Sequence, residues 1–265
     1  MSDLTASERI WQRAELAVAA SSRPEIESLF QETAKNVLLG LARNPHLQER
    51  DLLRLLERKD LAQEVVLELA RHKAVQSSYA IKLALVRHPK TPRQVSLPLM
   101  KFLYIFDLLR VAQTPAVPAD IKIVAEEAIL KKTVAMPSGQ QTALARRGTG
   151  RIASSLLMKS DLELIRAALD NPHLTEGQLL KVLATEGHSL MAVDQISQHP
   201  RWAHRYHLRL ALIRNPLTPL ARVLAFLPDM AVTDLRDICL DHRMLPQVRK
   251  YIEAHCAVRM KKSMQ

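Results

Sequence analysis

The chain carries two copies of one passage, and that duplication limits the folds open to it more than any other feature. A short phrase recurs: an apolar helix end, then Asn or His, then Pro. It reads LARNPHL at 41–47, LVRHPKTP at 85–92, LDNPHLTE at 169–176 and LIRNPLTP at 212–219, with weaker versions LARHKAV, VAQTPAVP and ISQHPRW. The Asn/His positions are Asn44, His72, His88 and Thr114, in steps of 28, 16 and 26. They return as Asn171, His199, Asn215 and His242, in steps of 28, 16 and 27. At a displacement of 127 residues, Asn44-Pro45-His46-Leu47 coincides with Asn171-Pro172-His173-Leu174. Tyr79 coincides with Tyr206, Leu83-Ala84-Leu85 with Leu210-Ala211-Leu212, and Pro89, Thr91 and Pro92 with Pro216, Thr218 and Pro219. Asp107-Leu108 meets Asp234-Leu235. Residues 36–130 and 163–258 therefore read as a tandem duplication, with a helical connecting segment at 131–162 and a basic tail at 259–265.

The phrase has a mechanical meaning. Pro disfavours the α conformation in the residue before it, so each Asn-Pro or His-Pro stops a helix. Thr in PKTP, PLTP and HLTE is then placed to cap the next helix, with Pro or Glu in its first turn. Steps of 26–28 hold two short helices, and a step of 16 holds one. Between the stops, apolar residues fall at helical spacing. Leu52, Leu53, Leu55 and Leu56 line one helix, with Glu49, Arg50, Arg54 and Glu57 opposite; Leu61, Val65, Val66, Leu69 and Ala70 line the next. A third runs Tyr79, Ile81, Leu83, Leu85 and Val86. Such short helices bury their faces only by stacking on neighbours, which predicts one all-α solenoid with a continuous core.

Composition agrees: Leu and Ala dominate a 48% hydrophobic fraction, while aromatics make up 4% and only 6 residues are Gly. No stretch is long and apolar enough for a bilayer, and the N-terminus lacks the apolar core of a signal peptide. Two cysteines, Cys239 and Cys256, stand without a CxxC companion. These features predict a cytoplasmic chain without a disulfide framework.

The formal charge is +11 and is uneven: residues 1–130 hold 18 Lys and Arg against 16 Asp and Glu, the remainder 20 against 11. A basic field attracts polyanions, and it also serves solubility alone. Two basic groups stand out in the second half. One is Arg146, Arg147, Arg151 and Lys159; the other is Arg201, Arg205, Arg209 and Arg214, with Trp202 and Tyr206 interleaved. On a helix over 201–214, residues four apart share a face, so Arg201, Arg205 and Arg209 are expected to form a stripe suited to phosphate or acidic peptide. The corresponding first-copy residues are Ala74, Ser78 and Lys82, so the charge reads as an acquisition of the second copy.

No reaction chemistry is legible. Gly148-Thr149-Gly150 lacks the further Gly and the strand of a phosphate loop, and no nucleophile elbow or HExxH occurs. His199, His204 and His207 could offer imidazoles to a metal, but no carboxylate or thiol accompanies them at useful spacing, and capping or solvated histidines are the simpler reading. His46, His88, His173, His199 and His242 recur at junctions, which points to bonding of helix-end carbonyls. No catalytic residue, cofactor or metal is assigned.

The phrases LALVRHPKTPRQV, LALIRNPLTPLARVL and AALDNPHLTEGQLLKVL resemble the variant leucine-rich repeats of bacteria, and are similar also to bacterial HEAT-like repeats. The resemblance spans most of 36–256 and implies an α-solenoid, a right-handed superhelix of short helices. The steps are too uneven for the regular variant leucine-rich period, which favours the HEAT-like account. The cysteine cluster that ligates an iron–sulfur centre in some variant-repeat proteins is missing. Helical-repeat DNA glycosylases share the outline, yet no catalytic residue set matches theirs. The expectation is a non-enzymatic scaffold or adaptor that binds another macromolecule, a protein first. Nucleic acid bound by the basic second half is the second reading, and a DNA-repair enzyme a distant third.

Overall fold

Every regular element among the described residues is a helix, and the helices ending at Ala42, Ala70, Arg87, Gln113, Leu169, Gln198 and Arg214 stop within two residues of a junction phrase. The structure is a computed structural model that describes residues 6–185, 187, 189–241 and 244–263; His242 lies outside the described residues. The chain divides into two compact units, Met1–Lys132 and Thr133–Gln265.

The first unit runs α1 (Ala6–Ala19), α2 (Arg23–Leu29), α3 (Lys35–Ala42), α4 (Glu49–Glu57), α5 (Gln63–Ala70), α6 (Ala74–Ser77), α7 (Tyr79–Arg87), α8 (Arg93–Met100), α9 (Ile105–Gln113) and α10 (Ala119–Lys132). Helices this short are marginal in water, so packing must hold them. Some pack on the helix two places along, α1 on α3 and α3 on α5, others on a neighbour, α7 on α8 and α9 on α10, and α4 packs on α7. Leu41, Leu52, Leu55, Leu56, Leu69 and Leu85 are buried in the shared core, while Arg54 and Glu57 face water. Asp51 is buried too, and Arg23 grips it with two hydrogen bonds of 2.7 and 2.6 Å. Burial pushes the Asp51 carboxyl up, but the Arg23 guanidinium and the Gln48 N–H outweigh it and hold the group below the ordinary carboxylate range.

The second unit opens with a 3₁₀ turn, Thr133–Ala135, followed by α11 (Ser138–Arg147), α12 (Gly150–Leu156), α13 (Leu162–Leu169), α14 (Glu176–Ala184), α15 (Leu190–Gln198), α16 (Tyr206–Arg214), α17 (Leu220–Phe226), a second 3₁₀ turn, α18 (Val232–Cys239) and α19 (Pro246–Ser263). At a displacement of 127, α2, α3, α4 and α7 coincide end to end with α12, α13, α14 and α16. The helix–turn–helix of α11 and α12, within the segment read as a connection, is thus the second unit's counterpart of α1 and α2.

Repeated polar ties explain why particular residues survive in both copies. Asn44 is fully buried; its amide donates to the carbonyls of Ala17 and Ala20 at the end of α1, at 2.9 and 2.7 Å, and its oxygen accepts from His46 N–H at 2.8 Å. Asn171 does the same for Ala145, Gly148 and His173 at 2.7, 3.0 and 2.7 Å. The Tyr79 hydroxyl donates to Asp107 at 2.5 Å and accepts from the Tyr104 N–H at 3.0 Å. Tyr206 repeats this with Asp234 and Ala231. Buried polar groups are tolerated only when satisfied in this way.

Two local expectations change. Thr91 and Thr218 do not cap the following helix. Their hydroxyls turn back and donate at 2.6 Å to Leu85 and Leu212, in the last turn of the helix before, and Pro92 and Pro219 take the N-cap positions. Both hydroxyls are buried, where a helix-end carbonyl is the available acceptor. Thr175 does cap, within a capping box with Gln178.

Candidate macromolecular interface

The Arg201–Arg205–Arg209 stripe is not a stripe. The helix expected over 201–214 begins only at Tyr206, because Arg201 to His204 form a turn built around Trp202. The Trp202 ring is 2% exposed and its Nε1–H donates to the Leu169 carbonyl at 2.9 Å, which fixes the turn. Arg201 stacks on that ring, 4.3 Å from its centroid, and donates to the carbonyls of Asn171 and Leu174 at 2.9 and 3.2 Å. Arg205 is exposed at the N-cap of α16. Arg209 lies inside the helix, donating to Ala203 at 2.6 Å and pairing with Asp229 at 2.5 Å. Its first-unit counterpart Lys82 donates to the matching carbonyl of Gln76, also at 2.6 Å. A cation here is therefore a shared structural tie.

The other basic group is also divided. Arg146 and Arg147 end α11, where cations complement the helix dipole. Lys159 donates to Thr133 and Gln141 at 3.3 and 2.7 Å. Arg151 alone lines a cleft, of about 440 Å³, with Lys181 across it and Ser154, Ser155, Gln178 and Thr185 between. The charge asymmetry narrows as well, since Lys131 and Lys132 belong to α10. By structural unit the balance is 20 Lys and Arg against 16 Asp and Glu in the first, and 18 against 11 in the second.

Histidines serve the junctions. His88 Nε2 lies 2.9 Å from the carbonyl of Arg58, the C-cap of α4, and His199 Nε2 lies 3.2 Å from the carboxylate of Asp170, the C-cap of α13. Burial, with Lys59 and Lys90 adding to it, holds the His88 imidazole below its ordinary range. His204 sits in the turn before α16 and His207 within it, so the two do not share a helix face. Among the described residues no three His, Cys, Asp or Glu side chains are grouped to hold a metal ion. Cys239 and Cys256 are free thiols, and burial pushes both up, away from the thiolate.

One divergence between the units borders α14. Leu180, Leu183, Ala184, Ala211, Pro216 and Leu217 line an apolar cleft of about 620 Å³ between α14 and α16, with Arg214 at its edge. It meets the Arg151–Lys181 cleft at Thr185. The corresponding first-unit positions read Leu53, Leu56, Glu57, Ala84, Pro89 and Lys90, with Arg58 and Asp60 matching Thr185 and Gly187. There Arg58 pairs with Asp60 at 2.6 Å and donates to the carbonyls of Phe30 and Glu32, both at 2.8 Å. Leu or Ala and Pro line both positions, but the charged Glu57 and Lys90 of the first unit give way to Ala184 and Leu217 in the second. Sequence reasoning passed over this groove because it followed charge gained, whereas here the second copy has lost charge. The register of 127 holds the signal, in Glu57 against Ala184 and Lys90 against Leu217.

Compared with protein-family models, curated proteins and solved structures, the chain finds a match in none.

Proposed function

We propose that the protein is a non-enzymatic α-solenoid of HEAT-like repeats that binds a protein partner in the apolar groove beside α14. Packing of many helices on the one two places along, as α1 on α3, α3 on α5, α11 on α13 and α14 on α16, supports the solenoid. The groove carries the functional reading: a cleft lined by Leu180, Leu183, Ala184, Ala211 and Leu217 stands where the duplicate has an ion pair and charged rims. An apolar cleft beside Arg151 and Lys181 suits a segment that presents apolar anchors and carries acidic residues next to them. Nucleic acid bound through the second unit is less well supported, because Arg201 and Arg209 are spent on carbonyls, Trp202 and Asp229.

The test writes the first unit's residues into the second. Ala184→Glu with Leu217→Lys restores the charges of Glu57 and Lys90 at positions that are not fully buried. Folding stability should change little, by about 0.5 kcal/mol per site. A partner captured by the wild-type chain is then purified and its affinity measured directly. The double variant should bind it at least about tenfold more weakly, the cost of setting charge in an apolar contact. Equal affinity for the two chains defeats the assignment.

A further inference from the structure

Three of the chain's few aromatic side chains crowd into five residues of the first unit and face water. Phe102 is 61% exposed, Tyr104 71% and Phe106 44%, while Leu103 between them is buried. The second unit has Asp229, Ala231 and Thr233 at these positions, so the duplicated fold does not require the rings. Tyr104 is held in place: it lies against Tyr79 with ring centroids 4.9 Å apart, and its N–H donates to the Tyr79 hydroxyl at 3.0 Å. Lys82 sits 5.1 Å from the centroid of Phe102. Arg71, His72, Gln76, Lys82 and Phe102 share a cleft of about 470 Å³. Lys101 is exposed beside Phe102, and Lys132 is anchored to the Leu103 carbonyl at 3.0 Å. Asp107, next to Phe106 in the chain, is already bonded by Tyr79 and paired with Arg110 at 3.7 Å.

We infer that this ledge binds single-stranded nucleic acid, its bases stacking on Phe102, Tyr104 and Phe106 while Lys101 and Arg71 meet the phosphates; Lys82 and Lys132, bonded to the Gln76 and Leu103 carbonyls, hold the ledge in shape. Exposed rings set among cations are what an unpaired strand needs, since every base has a face to stack and every linkage a charge to meet. A paired duplex hides its bases and meets only the cations. A protein partner fits less well, because protein contacts are depleted in Lys at their centres and this ledge is flanked by lysines. The net charge of +11 draws any polyanion toward the chain, and the rings select among polyanions.

The test uses the full chain and fluorescence anisotropy with labelled oligothymidylate and oligouridylate of about 20 nucleotides, a duplex of the same length, and an abasic strand. The single strands should bind, more tightly than duplex or abasic strand, and should weaken steeply as salt rises. Changing Phe102, Tyr104 and Phe106 together to Ala should weaken single-strand binding at least about tenfold. Crosslinking the wild-type chain to oligouridylate with ultraviolet light should attach uridine within 102–106, a readout that holds even if the triple variant folds poorly. Failure of the single strands to bind, equal binding of the abasic strand, or crosslinks confined to other segments overturns the inference. The Ala184→Glu, Leu217→Lys chain should bind the oligonucleotides as the wild type does, so the groove and the ledge succeed or fail separately.

Discussion

Asn44 and Asn171 show what one side chain has to do for a junction to exist. Each has no solvent access, and each closes two helix-end carbonyls and one loop N–H. Truncation to Ala leaves all three groups unmet in a site too closed for bulk water, and each unmet group costs about 1–3 kcal/mol. Asn44→Ala and Asn171→Ala should therefore each lower unfolding free energy by about 2–4 kcal/mol in urea titrations. Asn171→Asp should be no milder, because a carboxylate cannot donate to Ala145 and Gly148. A loss below about 0.5 kcal/mol for either Ala variant would mean the Asn matters only as a helix stop. The sequence made the stop legible, since Pro45 and Pro172 restrict the residue before them. It did not disclose the donor role, because the acceptors lie 24 and 27 residues upstream of Asn44.

Between elements, the tyrosine–aspartate struts join helices that Leu packing alone would leave free to slide. Tyr206 at the start of α16 reaches Asp234 in the first turn of α18, and Tyr79 joins α7 to α9 in the same way. The bond to Asp234 raises the Tyr206 phenol above its ordinary range, so the hydroxyl stays protonated and donating at neutral pH. Tyr206→Phe should cost about 1–2 kcal/mol, and a double-mutant cycle with Asp234→Ala should return a coupling of about 1 kcal/mol or more. Strictly additive single costs would show that the two residues act apart. Both pairs stood out in the sequence as coincidences at 127 residues, without a reason for their retention. Arg201, Arg205 and Arg209 failed at this same scale. Spacing of four implies one face only if the helix is continuous, and Trp202 needs a turn there to reach the Leu169 carbonyl.

Across the chain, the ties close within a unit. The Asn44 bonds stay below residue 132, and the Asn171 bonds above it. Each unit also buries its own leucines. Destabilising one unit should therefore loosen that unit first. In hydrogen exchange, Asn44→Ala should speed exchange at amides of α1 to α5 and leave those of α13 to α16 at wild-type rates. Equal acceleration in both would show that the chain opens only as a whole. The copies have kept these interior ties and diverged on their surfaces, the first presenting aromatic rings at 102–106 and the second an apolar groove beside α14. Aromatics at 4% of the chain, three of them in five residues, were visible as composition, but their exposure was not.

By itself the sequence determined that the chain is helical, where the helices before its junction phrases stop, and that one arrangement is used twice in a register of 127 residues. These follow from local chemistry: Pro removes a donor and fixes φ, Leu at helical spacing makes a face, and a copied passage repeats both. Only the tertiary structure decided what the polar side chains are for. Asn44 seeks carbonyls two helices away, Thr91 turns back rather than forward, Arg201 and Arg209 are spent on the fold, and the groove beside α14 opens where charges are missing. A hydrogen bond takes whichever partner packing brings within reach, and packing between helices far apart in the chain is not written in local spacing.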